Sequence, residues 1–222
     1  PPPPKKHPAM MNNRLLLPLV FILLPFIYLA SVYGGLPDEI PIHFDWRGNA
    51  DGWGPKYILW FLPTIGIPLI LLVNAAIISN FGKTEPADKQ RNIGLITLVF
   101  TSLLLCYIIY GAGTGNYDGL GGLSILFGLL FGALGNYLPV LKPNAFVGIR
   151  VPPTLKSAIK WTKTHRFAGP LFLVGGVLLV LNGLFVRGGA ITVVMLITVG
   201  GSSLIPVVDA YRLPVAAAGD LV

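Results

Sequence analysis

His43, Asp45 and Asp51 fall within nine residues of one another. An imidazole and two carboxylates are a set that can hold a metal ion or divide acid and base roles between them. The same residue types also close turns and cap backbone amides, and the surrounding GLPDEIPIHFDWRGNADGWGPK is dense in glycine and proline, so turn chemistry is the simpler expectation. No metal ligand and no catalytic residue is assigned. Nothing else assembles a reactive set: the other histidines are His7 and His165, the lone Cys106 sits in an apolar run, and GxSxG, HExxH and P-loop patterns are lacking. Neither an enzyme nor a cofactor is expected.

The elements that must position these residues are membrane spans. Hydrophobic residues make up 54% of the 222 and charged residues 11%, with a mean hydropathy of +0.73. Too little polar surface is left to coat a water-soluble globule. Apolar stretches long enough to cross appear at 15–33, 57–79, 93–112, 122–140, 168–186 and 190–208. The expected fold is an all-α integral membrane protein with six transmembrane helices, kinked at Pro18, Pro25, Pro63, Pro68 and Pro206. In the fourth span Gly128 and Gly132 make a small-xxx-small face that suits helix packing. Asn74, Asn136 and Asn182 are polar residues within spans, read as bonds between helices; no carboxylate lies at mid-membrane, which argues against a coupled transporter.

Orientation follows from lysine and arginine. Thirteen of the 16 fall on the face that carries both termini, the 80–92 loop and the 142–166 block, and three (Arg47, Lys56, Arg187) on the other. Both termini are therefore expected in the cytoplasm of a multi-pass cell-membrane protein. The net charge of +7 is explained by this bias, without direct nucleic-acid binding. The expected organisation is a disordered tail at 1–14, a two-span unit at 15–92 with an external loop at 34–56, a four-span unit at 93–208 with a cytoplasmic block at 141–167, and a cytoplasmic tail at 209–222.

Each polar block has a predicted form. In the external loop, Ile40 to Phe44 alternates as an extended segment, and RGNADGWG reads as consecutive tight turns. Trp46, Trp53, Tyr57 and Trp60 suit the headgroup interface. In the cytoplasmic block, 142–151 reads as a loop. Pro152-Pro153-Thr154 then starts a helix running to Arg166, with Lys156, Lys160 and Lys163 on one face. Leu155, Ala158, Ile159 and Thr162 form its apolar face, with Trp161 at the edge. Such a basic amphipathic helix suits the lipid bilayer surface or an acidic partner. His165 suits a hydrogen-bonding structural role more than titration.

Both blocks together resemble the SdpI family of bacterial membrane proteins. LPDEIPIHFDWRGNADGWGPK at 36–56 is similar to that family's N-terminal domain of unassigned function, and PNAFVGIRVPPTLKSAIKWTKTHRFAG at 143–169 to its signature. The resemblance implies partner-binding roles for Asn144, Gly148, Arg150, Pro152, Thr154, Trp161 and His165 on the inside, and for Pro41, His43, Phe44, Gly48, Asp51 and Lys56 on the outside. Leu155 and Gly169 also match the signature, as Pro37 matches the external motif; Pro153 and Ala158 depart from what many members carry. It also implies a function: an immunity and sensor protein that meets an exported antimicrobial peptide toxin and recruits a cytoplasmic repressor protein. The alternatives are an accessory subunit of a larger membrane complex and a small-molecule transporter.

Overall fold

The computed structural model describes residues 13–47, 49–81, 86–114, 120–144 and 146–214. The N-terminal tail up to residue 12, Gly48, Lys83, Asp118 and the end of the C-terminal tail lie outside the described residues.

Among the described residues, six helices are long and apolar enough to cross a membrane. They are α1 (Asn13–Val32), α2 (Ile58–Phe81), α3 (Ala87–Thr114), α4 (Gly121–Tyr137), α6 (Ala158–Phe185) and α7 (Ala190–Arg212). Between α1 and α2 runs an antiparallel hairpin of β1 (Glu39–Phe44) and β2 (Ala50–Pro55), and α5 (Pro152–Leu155) is a single turn before α6. The prolines do not end the helices: Pro18 and Pro25 lie inside α1, Pro63 and Pro68 inside α2, Pro170 inside α6 and Pro206 inside α7. Each removes one backbone donor, which a spanning helix tolerates when its neighbours take up the freed carbonyl.

Two expectations about local structure need correction. Asp51 to Gly54 is not a run of turns but most of β2, paired with β1 from Glu39↔Pro55 to Phe44↔Ala50, with an irregular step at His43. Its glycines serve the pairing: a Cβ on Gly52 would stand 2.9 Å from the Cβ of His43. The predicted helix from Pro152 to Arg166 is likewise broken. Ser157 is extended (φ −148°, ψ 118°) and its hydroxyl accepts the Lys160 amide at 3.3 Å, so a new helix starts at Ala158. That helix then continues without interruption through the membrane to Phe185.

The tightest packing joins α4 and α6, which run antiparallel. A Cβ on Gly128 would lie 2.7 Å from Gly176 O, one on Gly135 2.8 Å from Gly169 O, and one on Gly121 2.9 Å from Gly183 O. The three pairs are reciprocal and seven residues apart on both helices, so the backbones meet along one seam where no side chain fits. Gly132, expected on this face, has open space at its Cβ position. Its backbone still joins the contact, since Gly128 O and Gly132 N both stand 2.7 Å from the Cβ position of Gly176, and the repeat of seven extends that contact along the seam.

The asparagines divide. Asn74 on α2 donates to Gly94 O (3.1 Å) and accepts from Thr97 on α3, and Asn182 on α6 donates to Ser124 on α4 (3.0 Å) and to Ile191 O on α7 (3.0 Å). Asn136 is exposed instead. Leu29, Leu36, Ile40, Leu59, Ile109 and Ala112 close a core beneath the hairpin, while Ile93, Leu138, Leu141 and Ala168 close another at the opposite end.

Candidate functional site

At the hairpin end the charged residues are spent on shaping the strands. Asp45 Oδ1 accepts the amides of Arg47 (2.8 Å) and Asn49 (2.9 Å), and Oδ2 accepts from the Asn49 side chain (3.1 Å), which builds the turn. His43 and Asp51 pair with each other across the strands, both well exposed. Lys56 donates to Leu36 O (3.1 Å), pairs with Asp38 (3.0 Å) and lies over the Tyr33 ring, which ties the hairpin's base to the end of α1. His43, Asp45 and Asp51 therefore do not converge: one carboxylate holds backbone and the other holds the imidazole.

The Asn49 amide and side chain, followed by the Arg47 amide and charge, hold the Asp45 carboxyl below its ordinary value of 3.8. A depressed carboxyl pKa stabilises the turn above the ordinary value, and that contribution is lost as pH falls through the lowered one. The titration midpoint read through the Arg47 and Asn49 amide NMR shifts is expected below 3.8, and one at or above it would show that these amides do not hold the carboxylate.

Beneath the hairpin lies an apolar recess of about 400 Å³. Ile40, Ile42 and Phe44 of β1 form one wall, with Leu62 of α2, Ile108 of α3 and Leu123 of α4 opposite; Tyr107 brings a ring with a polar tip. The volume lies in the range of small-ligand sites, about 300–1,000 Å³. The hairpin's tip is fastened across the bundle. Thr192 Oγ1 donates to Trp46 O (2.7 Å), and the Trp46 ring fills the space where a side chain at Gly189 would stand. Trp46, Trp53 and Tyr57 remain more than half exposed, as suits an interface.

At the opposite, basic end, most of the signature residues build the loop at 142–151 from inside. Asn144 Nδ2 donates to Lys142 O (3.0 Å) and Val147 O (2.9 Å), while its Oδ1 accepts from Phe146 N and Val147 N. Gly148 has φ +124°, and a Cβ there would collide with the His165 ring and press on Trp161. His165 Nε2 accepts the Ile149 amide (2.9 Å), so Nδ1 carries the proton and donates to Trp161 O (2.8 Å). The Trp161 indole stacks on that imidazole at 4.1 Å and donates to Leu141 O (2.9 Å). Thr154 donates to Ile149 O (2.7 Å) and accepts from Val151 N (3.1 Å).

Trp161 and His165 are fully buried, whereas Leu155 and Ile159 are exposed. Leu155 and Ile159 of the expected apolar face thus stay outward, where lipid can reach them, and only its edge residue Trp161 turns inward. The period was right, but Trp161, Thr164, His165 and Ala168 supply the face that packs inward. Of the predicted inner set, Arg150 and Pro152 reach the surface, as does Phe146. Reasoning from sequence missed Lys160, whose ammonium donates to Leu213 O (2.7 Å), and the clasp of Thr192 and Gly189 on Trp46. No local signal marks a contact across 146 residues, although the Gly188-Gly189 pair does announce a turn.

A six-helix bundle with one shaped end loop and one basic end loop defines a multi-pass membrane protein. Residues 140–208 match the SdpI/YfhL protein family, and residues 20–67 match a domain of unknown function, DUF1648. The chain is 27% identical over 209 residues to Immunity protein SdpI of Bacillus subtilis (strain 168), a match that covers 90% of this chain and 95% of that protein. The chain is thus similar to the SdpI family of membrane proteins, in its last third by the family's own pattern and over most of its length to this relative. No solved structure matches it.

Proposed function

We propose that the protein is a non-enzymatic immunity protein that holds an exported antimicrobial peptide at its hairpin end and engages a cytoplasmic repressor at its basic end. The lysine and arginine bias supports a hairpin outside and both termini inside. The observation that carries this reading is the apolar recess beneath the hairpin, which offers an incoming peptide's hydrophobic side chains a lined cavity at the outer face. The name of the Bacillus subtilis relative, an immunity protein, agrees with it. On the inner side, Arg150 and Phe146 stand on a loop fixed by Trp161 and His165, and a firm loop displaying a cation and an aromatic ring suits protein docking. The reading as an accessory subunit held through the glycine face of α4 has less support, because Gly121, Gly128 and Gly135 are occupied by α6.

Expression in a cell sensitive to an exported peptide tests the proposal. The wild type is expected to protect, and Ile42→Asp to protect poorly at an unchanged level in the membrane. Ile42 lies outside the spans, half exposed on the recess wall, and losing its apolar burial against a ligand costs about 1.5–3 kcal/mol, roughly 10- to 150-fold in affinity. Unchanged killing across candidate peptides would refute the immunity reading.

A further inference from the structure

We propose that the outward face at the start of α6 binds the headgroup of an anionic phospholipid. Ile159, Lys163, Arg166, Leu173, Val177 and Leu181 follow one another along α6 at steps of three or four residues, with Pro170 completing the series between Arg166 and Leu173. That spacing is one stripe of a helix. All six side chains are exposed, while Trp161, Thr164, His165 and Ala168 point the opposite way into the protein, so the helix's rotation is fixed. The two cations therefore head the same stripe whose lower part, Leu173 to Leu181, faces lipid tails.

Depth agrees with direction. From Phe167 to Phe185 every residue of α6 is uncharged, a run of 19 residues or about 28 Å at 1.5 Å per residue, close to the roughly 30 Å hydrocarbon core. Arg166 then stands at the hydrocarbon boundary and Lys163 one turn beyond it, which is the level of the phosphodiester. α6 carries no aspartate or glutamate to compete for them. Lys160, one residue off the stripe, is already committed to Leu213 O, whereas Lys163 and Arg166 make no bond or ion pair among the described residues. Phe167 beside them offers apolar contact to glycerol and the first methylenes. Two free cations at phosphate depth on a tail-facing stripe favour a lipid over a soluble acidic protein, which would have to approach through the headgroup layer.

Native mass spectrometry of the full-length protein released from detergent, titrated with phosphatidylglycerol or phosphatidylcholine of identical chains, tests this. The wild type is expected to retain phosphatidylglycerol preferentially, and K163Q/R166Q to lose that preference by about fivefold per cation removed. K163R/R166K should keep it, and Arg187→Gln at the other end should leave it unchanged. Equal retention of the two lipids by the wild type would overturn the proposal, as would an unaltered preference in K163Q/R166Q, which would leave these cations to a soluble acidic partner. Displacement of phosphatidylglycerol by equimolar inorganic phosphate would overturn the headgroup assignment.

Discussion

Gly176→Val is expected to destabilise the protein strongly, whereas Gly132→Val is expected to leave it nearly unchanged. A Cβ at position 176 meets Gly128 O and Gly132 N, both at 2.7 Å, and these are backbone atoms of a helix that cannot yield locally. Overpacking of this kind costs about 1–3 kcal/mol, and separating two helices that touch along their whole length puts the effect at the upper end. For a chain of this size about 3 kcal/mol corresponds to a drop of roughly 6–12 °C in the unfolding midpoint. Gly132 has nothing within 4 Å of its Cβ position, so its variant serves as the control for adding a branched residue to α4. Thermal unfolding of both variants in detergent decides the matter: equal midpoints would mean that the two backbones are not in contact.

Trp161→Ala carries the second large effect, at the basic end. It removes a fully buried indole, its stack on His165 and its bond to Leu141 O. Loss of a buried tryptophan costs about 3–5 kcal/mol. Trp161→Phe keeps a ring against the imidazole and loses only the donor, at about 1–3 kcal/mol for the carbonyl left unpaired. The loop at 142–151 is where the damage concentrates, because the Ile149 amide and the Gly148 backbone both rest on the Trp161–His165 stack. Hydrogen exchange across that loop should rise steeply in Trp161→Ala and modestly in Trp161→Phe, with the hairpin end unaffected. Uniform loss of protection at both ends would show that the stack supports the whole bundle rather than this loop.

The six spans were legible because length and apolarity alone decide them, and the extended run at Ile40 to Phe44 because it alternates. β2 was not: Gly52 and Gly54 have the composition of turns, and only their cross-strand approaches, of Gly52 to His43 and of Gly54 to the Ile42 side chain, explain them. Position 161 shows the same limit at the candidate site. Its helical phase could be read from the chain, but whether Trp161 or Ile159 faces inward depends on which side Leu141 and Ile149 come to occupy. A tertiary neighbour settles that, and no local pattern does. The glycine seam is a different case. Gly121, Gly128, Gly135, Gly169, Gly176 and Gly183 spell it out at a spacing of seven, and attention to the four-residue spacing of Gly128 and Gly132 hid it.

The fastening of Trp46 to Thr192 and Gly189 also fixes an order of assembly. The hairpin is synthesised 146 residues ahead of its anchor. At 5–20 residues per second, the 146 residues between them take roughly 7–30 s. Throughout that interval the strands stand over the membrane with Trp46 undocked, and the wall that Leu123 gives to the recess arrives only with the fourth helix. The hairpin's tip is therefore captured only once α7 inserts and presents its first turn. A chain that stops after α6 would carry every residue that lines the cavity and still leave it uncovered.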